Sequence, residues 1–340
     1  MPHRITYQDI ARKAGVSNCL VSRALTGKTG VSEKKRALIL RTADQLGYQK
    51  NPAAKLLAGQ RHGKRERPLI ALIRQNERWD NLFRETCENS GADAVTVGPE
   101  DAASPALLCD SLFARGVDGI VLNPHQIPMQ EPAWQEFRWE LFPWTTLYRH
   151  DHLSRGDLVR HNAFDYVSLT LEKMIESGYR RIVALCHTSQ SSRDDDARLG
   201  ALLSMESRYA SQGVTVIRYK FSDIETITER ELRVVEDEAK SWGAEALMLD
   251  HFTFWLTISR HSGLGLTTYP CASAYIPDTY EPDLGHLAGC LLGRNRLYRG
   301  AVELVLNRLG KISSSLEEVP LEHVLEPHWK PGPSLPLKIN

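Results

Sequence analysis

The 340-residue chain has none of the long apolar runs or paired cysteines that mark membrane and secreted proteins. No stretch approaches the roughly eighteen apolar residues of a membrane span, and the amino terminus has no apolar signal core. The six cysteines are widely scattered and include no CxxC pair. Because scattered thiols of this kind are typical of reducing compartments, we expect a cytoplasmic protein that does not enter a membrane.

Motifs for catalysis, nucleotide binding and metal binding are also missing. There is no P-loop and no GxSxG nucleophile elbow, and Gly263-Leu264-Gly265 lacks the remainder of a dinucleotide fingerprint. His150-Asp151-His152 contains metal-ligand types, but adjacent residues of a loop point apart and no third ligand has a suitable spacing. We interpret it as a solvated loop, and we predict no catalytic residue, no metal and no cofactor. An enzyme is therefore not expected.

Charge is distributed unevenly along a chain that is neutral as a whole, with 42 basic and 42 acidic residues. Residues 1–67 contain 15 Lys and Arg against 4 Asp and Glu, whereas the rest contains 27 against 38. This pattern is typical of a phosphate-binding head on a body that does not bind nucleic acid. The alternative, a solvated basic surface, is weakened by the helical pattern of the same segment.

Residues 5–48 show the pattern of three short helices. Thr6 is suited to cap the first helix and Gly15 to end it, Ser17 to cap the second, and Ser32 to cap the third before Gly47. The apolar faces of the three helices are, in order, Ile10, Ala11 and Ala14; Leu20, Val21, Ala24 and Leu25; and Ala37, Leu38, Ile39, Leu40, Ala43 and Leu46. Two short helices around a glycine turn predict a helix-turn-helix, whose second helix fits a DNA major groove.

The same segment resembles the lactose-repressor/galactose-repressor family of bacterial transcription regulators. The residues that carry the resemblance are Asp9-Ile10-Ala11, Ala14-Gly15-Val16-Ser17, Val21-Ser22-Arg23-Ala24-Leu25, Val31-Ser32, Arg36, Leu46-Gly47-Tyr48 and Asn51. They stay in register over about sixty residues. The sequence departs from the family at Leu20 and Thr26, where Thr and Asn are common.

The resemblance implies a set of DNA-binding residues in the second helix and in a hinge helix that follows. These are Thr6, Ser17, Asn18, Cys19, Ser22, Arg23, Asn51, Ala54, Lys55 and Leu57. Arg23 has the donors to pair with guanine, and Ser17 and Ser22 suit phosphate oxygens, although both serines can also serve only as caps. Leu57 stands where the family inserts a leucine between base pairs in the minor groove; ordinary packing is the alternative.

The remainder of the chain predicts an α/β body. Strands are predicted at 69–73, 94–97, 119–122, 143–147, 182–185, 214–219 and 246–249, and helices at 80–90, 105–115, 165–177, 198–212 and 229–241. Short apolar strands that alternate with helices predict two doubly wound, parallel-sheet lobes with a cleft at the carboxyl ends of the strands. Gly116-Val117-Asp118-Gly119-Ile120-Val121 and Ser177-Gly178-Tyr179-Arg180-Arg181-Ile182 resemble family segments, so the body resembles a periplasmic sugar-binding protein.

Three domains are predicted on this basis. They are the helix-turn-helix head at 1–50, the hinge helix and linker at 51–67, and the effector-binding and dimerisation body at 68–340. The family topology implies lobes of about 68–158 plus 285–312 and about 159–284 plus 313–332. It returns a helix near 293–309 to the first lobe and a strand near 319–325 to the second.

The resemblance also implies an effector site in the cleft. Arg198 and Asp250 match the family's effector-contacting positions, and Gln75 and Arg149 follow predicted strands at the same edge. Trp79, Phe252 and Trp255 have rings that can stack on a sugar. For the four polar residues, a salt bridge or a surface contact is the alternative. The family's usual sequences around Asp250 and in 269–282 are altered, so the pocket is remodelled.

The family resemblance predicts a homodimeric transcription regulator, by family habit a repressor. It would bind double-stranded DNA at a near-palindromic operator and respond to a small molecule, such as a sugar or a derivative. A regulator whose sensor no longer binds an effector is the alternative. A solute-binding protein would need a signal peptide and no basic head, and an enzyme would need a catalytic set that the sequence lacks.

Overall fold

The structure is a computed structural model. It describes residues 7–16, 20–21, 24, 32–45, 66–125, 127–153, 156–189, 191–224, 226–261, 263–278, 284–310 and 319–338. The chain divides into two compact units, Met1–Lys64 and Arg65–Asn340. This division lies inside the predicted hinge and linker at 51–67, whose own boundaries stay a prediction.

The first unit contains helices α1 (Tyr7–Ala14) and α2 (Glu33–Gln45) around a small apolar core. Ile10, Val21 and Ile39 are fully buried in it. Gly15 follows α1 with a φ of +66°, a left-handed conformation that glycine adopts without steric cost. The helix end predicted at this glycine is therefore present.

One part of the predicted core of the first unit was wrong. Ala37 is exposed, and Leu38 and Leu40 are exposed by 47% and 45%. At 3.6 residues per turn, Ile39 and Ala43 share one face of α2, and side chains one position away cannot point to the same side.

The second unit contains two six-stranded sheets with helices on both faces. The strands are β1 (Leu69–Ile73), β2 (Asp93–Val97), β3 (Gly119–Leu122), β4 (Trp144–Leu147), β5 (Asp157–His161), β6 (Arg181–His187), β7 (Thr215–Phe221), β8 (Ala246–Leu249), β9 (Cys271–Ile276), β10 (Ala288–Leu291), β11 (Glu322–Leu325) and β12 (His328–Lys330). The helices are α3 (Asp80–Asn89), α4 (Pro105–Ala114), α5 (Ala163–Glu176), α6 (Ser192–Arg208), α7 (Glu229–Trp242), α8 (Thr253–Arg260) and α9 (Arg294–Gly310).

The two sheets define two lobes. The first has the order β11-β5-β4-β3-β1-β2 with all pairs parallel. The second has the order β12-β10-β9-β8-β6-β7 and is parallel except for β12, which runs antiparallel to β10. The short strands β3, β4 and β8 are buried at every residue, as continuous apolar runs between two helical layers should be. The predicted doubly wound, two-lobed fold is confirmed.

The chain crosses between the lobes at other points than the family topology implied. The helix assigned to the first lobe, α9, does pack there, with Val302 and Val305 in its core. However, 322–325 pairs with β5 in the first sheet, so its assignment to the second lobe was wrong. Residues 288–291 stay in the second sheet beside β9, so the chain returns after them and not near 285. Leu325 gains burial against the first-lobe core, which explains why this strand adds to that edge.

Candidate functional site

All of the predicted DNA-binding residues lie outside the described residues. These are Thr6, Ser17, Asn18, Cys19, Ser22, Arg23, Asn51, Ala54, Lys55 and Leu57. Their roles stay predictions from the sequence.

The polar groups of the second unit gather where its parallel strands end. In the second lobe, His187 ends β6 and Asp250 directly follows β8. In the first lobe, Tyr148 directly follows β4 and His161 ends β5. Carboxyl ends of parallel strands meet at one edge of a sheet, and this is where α/β proteins bind ligands. These two edges form the candidate site, called the cleft below.

Arg198 and Asp250 lie in contact at this edge of the second lobe. Nη1 of Arg198 donates to Oδ2 of Asp250 at 2.8 Å, and Asp250 is fully buried. Asp250 also accepts from the backbone N–H of His187 at 2.9 Å, and its Oδ1 lies 2.9 Å from Nδ1 of that ring. The Arg198 guanidinium pairs on its other side with Asp195. The two side chains that the resemblance assigned to a ligand therefore form a buried ion pair with each other.

Opposite charges compensate for burial at Arg198 and Asp195. Burial alone would lower the pKa of Arg198, but the carboxylates of Asp250 and Asp195 raise it. Burial alone would raise the pKa of Asp195, but the backbone N–H of Ser189, Lys220 and Arg198 together lower it. A guanidinium and two carboxylates at the bottom of a cleft can exchange these hydrogen bonds for those of a polar ligand.

The other two predicted effector residues occupy different environments. Gln75 is exposed after β1. Arg149 donates to Glu322 of its own lobe at 2.9 Å and lies 3.9 Å from Asp194 of the second lobe. Arg149 is thus engaged in ion pairs, one of which joins the two lobes.

A second contact between the lobes comes from the segment interpreted as a solvated loop. Oδ2 of Asp151 accepts from the backbone N–H of Ser192 at 3.0 Å, at the first residue of α6. This bond lowers the pKa of Asp151. Asp151 belongs to the first lobe and α6 to the second, so this hydrogen bond joins the two lobes.

The aromatic residues predicted to stack on a ligand have separate roles. Phe252 is buried in the core of the second lobe, and Trp255 contacts His286 with ring centroids 5.0 Å apart. Trp79 is the one that faces a cation, because the Arg294 guanidinium lies 3.8 Å from its ring centroid. Arg294 begins α9 directly after the chain leaves the second sheet.

Several histidine and tyrosine side chains of the two strand edges were not predicted from the sequence. Tyr148 has a φ of +67°, and a tyrosine is rarely held in that conformation. Tyr166 and Tyr275 stack with centroids 4.8 Å apart, and His161 lies against both rings. For Tyr148, the position directly after a predicted strand was an available signal. His161 ends β5, a strand that was not predicted, so the sequence offered no such signal for it.

His251 lies directly after Asp250 and has a perturbed pKa. Burial lowers its pKa well below the usual value, and the charges of His187, Arg294, His125 and Arg198 act in the same direction. The ring is therefore neutral. Its Nδ1 lies 2.8 Å from Oγ1 of Thr253 and accepts from the backbone N–H of the same residue at 3.3 Å; we assign the proton to Nε2, which lets Nδ1 accept from both groups.

The described part of the chain contains neither a membrane-spanning helix nor a cluster of metal ligands. No described helix is long and apolar enough to cross a bilayer. Among the described residues, no group of three or more His, Cys, Asp and Glu side chains is arranged to hold a metal ion.

A two-lobed parallel-sheet body preceded by a small helical unit defines the structural class. Within it, residues 6–51 match the sequence model of the family described as bacterial regulatory proteins, lacI family. The predicted resemblance to the lactose-repressor/galactose-repressor family is thereby confirmed for this segment.

Curated relatives match parts of the chain. The chain is 31% identical over 131 residues to the HTH-type transcriptional regulator TreR of Salmonella typhimurium, which is 36% of this chain and 39% of that protein. It is 29% identical over 132 residues to catabolite control protein A of Streptococcus mutans, which is 36% of this chain and 38% of that protein. The aligned part therefore spans about two fifths of the length of each of these relatives.

Solved structures match nearly the whole chain in fold. A transcriptional regulator CelR–cellobiose complex superposes with a TM-score of 0.57 at 18% identity, covering 97% of this chain and 100% of that one. The lac repressor dimer bound to operator and the anti-inducer ONPF gives 0.55 at 18% identity, covering 98% and 100%. At this identity the likeness establishes the fold.

Proposed function

We propose that this protein is a sequence-specific DNA-binding transcription regulator, and specifically a repressor, whose operator affinity changes when a small molecule binds in the cleft. The observation that carries the proposal is a lacI-family segment at 6–51 on the same chain as a two-lobed body with a buried polar cleft. The matched relatives are transcription regulators, which supports a regulator and not an enzyme.

The proposed mechanism begins with a homodimer that places two heads on two half-sites of a near-palindromic operator. Protein two-fold symmetry is then mirrored in the double-stranded DNA. Arg23 and Asn18 contact base edges, Ser17 and Ser22 contact phosphates, and Leu57 enters the minor groove from the hinge. The lac repressor dimer, solved on its operator, supports this arrangement by its fold.

Effector control follows from the contacts between the lobes. A ligand shifts operator affinity only by its different affinity for two states of the body. The pairs of Asp151 with Ser192 and of Arg149 with Asp194 join the lobes on one side of the cleft. A ligand that closes or opens the cleft would strengthen or break them, and the resulting movement would reach the hinges of the dimer.

A sugar or a sugar derivative is the proposed class of effector. The support is a cleft with ion-pair and aromatic groups and the fold shared with a regulator solved in complex with cellobiose. A body that binds no effector is the second candidate. This candidate is favoured by the Arg198–Asp250 pair, because the two side chains already hydrogen-bond to each other without a ligand.

We further propose that the protein works in the cytoplasm, where its DNA target would lie. The described cysteines, Cys87, Cys109, Cys186, Cys271 and Cys290, are free thiols, and this supports a reducing compartment.

Selection from random double-stranded DNA tests the proposed function. The full-length protein is expected to enrich one palindromic sequence, with half-sites about one helical turn apart or closer. Arg23→Ala should lose enrichment of one base position, whereas Arg299→Gln, an exposed change on the body, should enrich the same palindrome. Failure of the wild-type protein to enrich any sequence would contradict the proposal.

A further inference from the structure

The cleft contains a half-buried cation, the guanidinium of Arg294. The guanidinium of Arg294 lies 3.8 Å from the ring centroid of Trp79, and Tyr148 is close enough to interact with its charge. Nη1 of this guanidinium is buried and has no hydrogen-bond partner within the part of the chain that the structure describes. Leaving a charged donor buried and unpaired is costly, so such a group is normally satisfied by a ligand or a counter-ion.

The neighbouring carboxylates are already engaged elsewhere. Asp278 accepts from the backbone N–H groups of Gly293, at 2.6 Å, and of Arg294. It therefore satisfies the start of α9 through the backbone, while Nη1 of the side chain stays unpaired. Asp250 is held by Arg198 and by His187, as described above. Neither carboxylate is left to neutralise the Arg294 guanidinium by direct pairing.

Several basic side chains contribute to the electrostatic field at His251. The groups that lower the pKa of His251, after burial itself, are His187, Arg294, His125 and Arg198, and all four disfavour a further positive charge on this ring. Burial is also the main reason that the pKa of Arg294 is lowered. An anion placed beside Arg294 and His251 would gain from this field, and in a cleft of low dielectric the gain is larger than in water.

We propose that the effector carries an anionic group, a carboxylate or a phosphate, and that Arg294 binds it. This inference rests on the proposed function, because it assumes that a small molecule occupies the cleft. Nη1 of Arg294 donates to the anion, Nε2–H of the neutral His251 ring is the second donor, and the face of Trp79 holds the guanidinium in its plane. The rest of the ligand, with its hydroxyls, meets the Arg198–Asp250 pair.

Matched pairs of ligands test this inference. Thermal melting of the full-length protein is measured with hexose and disaccharide phosphates, with uronates and aldonates, and with the neutral parent of each. We expect at least one anionic compound to raise the melting temperature and its neutral parent to have no effect at the same concentration. Comparison of the sugar phosphates with the uronates and aldonates shows whether the anionic group is a phosphate or a carboxylate.

Variants of Arg294 provide the second measurement, by titration calorimetry with the anionic compound. Arg294→Gln should weaken binding at least tenfold, Arg294→Lys should retain the preference for the anion, and Arg299→Gln, an exposed change on the same helix, should bind like the wild type. Equal binding of neutral and anionic compounds, or unchanged affinity in Arg294→Gln, would overturn the inference. The inference would also be overturned if no anionic compound stabilised the protein. If the protein still selected its palindrome in that case, the proposed DNA-binding function would remain intact.

Discussion

At the scale of single residues, the buried Arg198–Asp250 pair is the centre of the second-lobe cleft. Asp250 is fully buried and holds both the guanidinium and the backbone N–H of His187. Because removal of one partner leaves an uncompensated buried charge, Asp250→Asn should lower the free energy of unfolding by about 3–5 kcal/mol. Urea denaturation measures this, with the exposed Asp237→Asn as the control. A loss equal to that of the control would show that the pair contributes nothing.

His161 gives the body a dependence on acid. Burial lowers the pKa of its imidazole to about 4, below the ordinary 6.5. Between these values the unfolded chain binds a proton that the folded protein does not, so the free energy of unfolding rises with pH there. Acidification from pH 7 to pH 4 should therefore remove about 3 kcal/mol through this ring alone, at roughly 1.4 kcal/mol per pKa unit. Chemical denaturation across this pH range should show a smaller loss of unfolding free energy in His161→Gln than in the wild type. Parallel pH profiles of the two proteins would show that His161 does not cause this dependence on pH.

The sequence predicted two cleft residues of the second lobe but not the contact between Arg294 and Trp79. Arg198 and Asp250 were named because they match family positions, and the structure brings them together. Arg294 and Trp79 were not connected, because their contact joins chain segments over two hundred residues apart. Chain separation of this kind leaves no periodic signal, and only the fold can place such residues side by side.

At the scale of elements, the amino end of α6 joins the two lobes. Asp151 accepts from the backbone N–H of Ser192, where a carboxylate also favours the positive end of the helix dipole. In Asp151→Asn we expect the peptide around Ser192 to exchange its amide hydrogens about tenfold faster, since a hydrogen bond to a charged group contributes about 1.5 kcal/mol or more. Hydrogen exchange with mass spectrometry detects this, and Asp165→Asn at the start of α5 is the control. Unchanged exchange around Ser192 would mean that the lobes are not joined there in solution.

Element prediction succeeded where apolar runs and helical periodicity were strong. The structure places strands at β1, β3 and β8 with the residues expected from their apolar runs. The strands β5, β9 and β10 were not predicted. β5 alternates buried and half-buried residues, including Asp157 and Arg160, and so has no continuous apolar run. The buried Asp157 interrupts the apolar pattern by which a strand is recognised in a sequence. In the structure, hydrogen bonds from Arg308 at 2.6 Å and 2.8 Å compensate the charge of this carboxylate.

At the scale of the whole molecule, the proposed function requires both a DNA-binding head and an effector-binding body. A separate prediction concerns Leu57 in the predicted hinge helix. Leu57→Ala should reduce both operator affinity and operator bending, by a few kcal/mol or less in affinity, because a leucine wedge offsets the cost of unstacking one base step. Fluorescence resonance energy transfer across the selected duplex measures the bend. An unchanged bend and affinity in Leu57→Ala would mean that Leu57 has only a packing role. Lys55→Gln, by contrast with Leu57→Ala, should weaken binding to all DNA sequences, because it removes a phosphate contact.

The most direct test of the central claim is the ratio of two dissociation constants measured by fluorescence anisotropy at one salt concentration. One is for the selected palindrome, and the other is for a scrambled duplex of equal length. We predict a preference of about a thousandfold or more for the palindrome, and a loss of roughly 1–3 kcal/mol of that preference at one base position in Arg23→Ala. Equal affinity for the two duplexes in the wild-type protein would contradict the account.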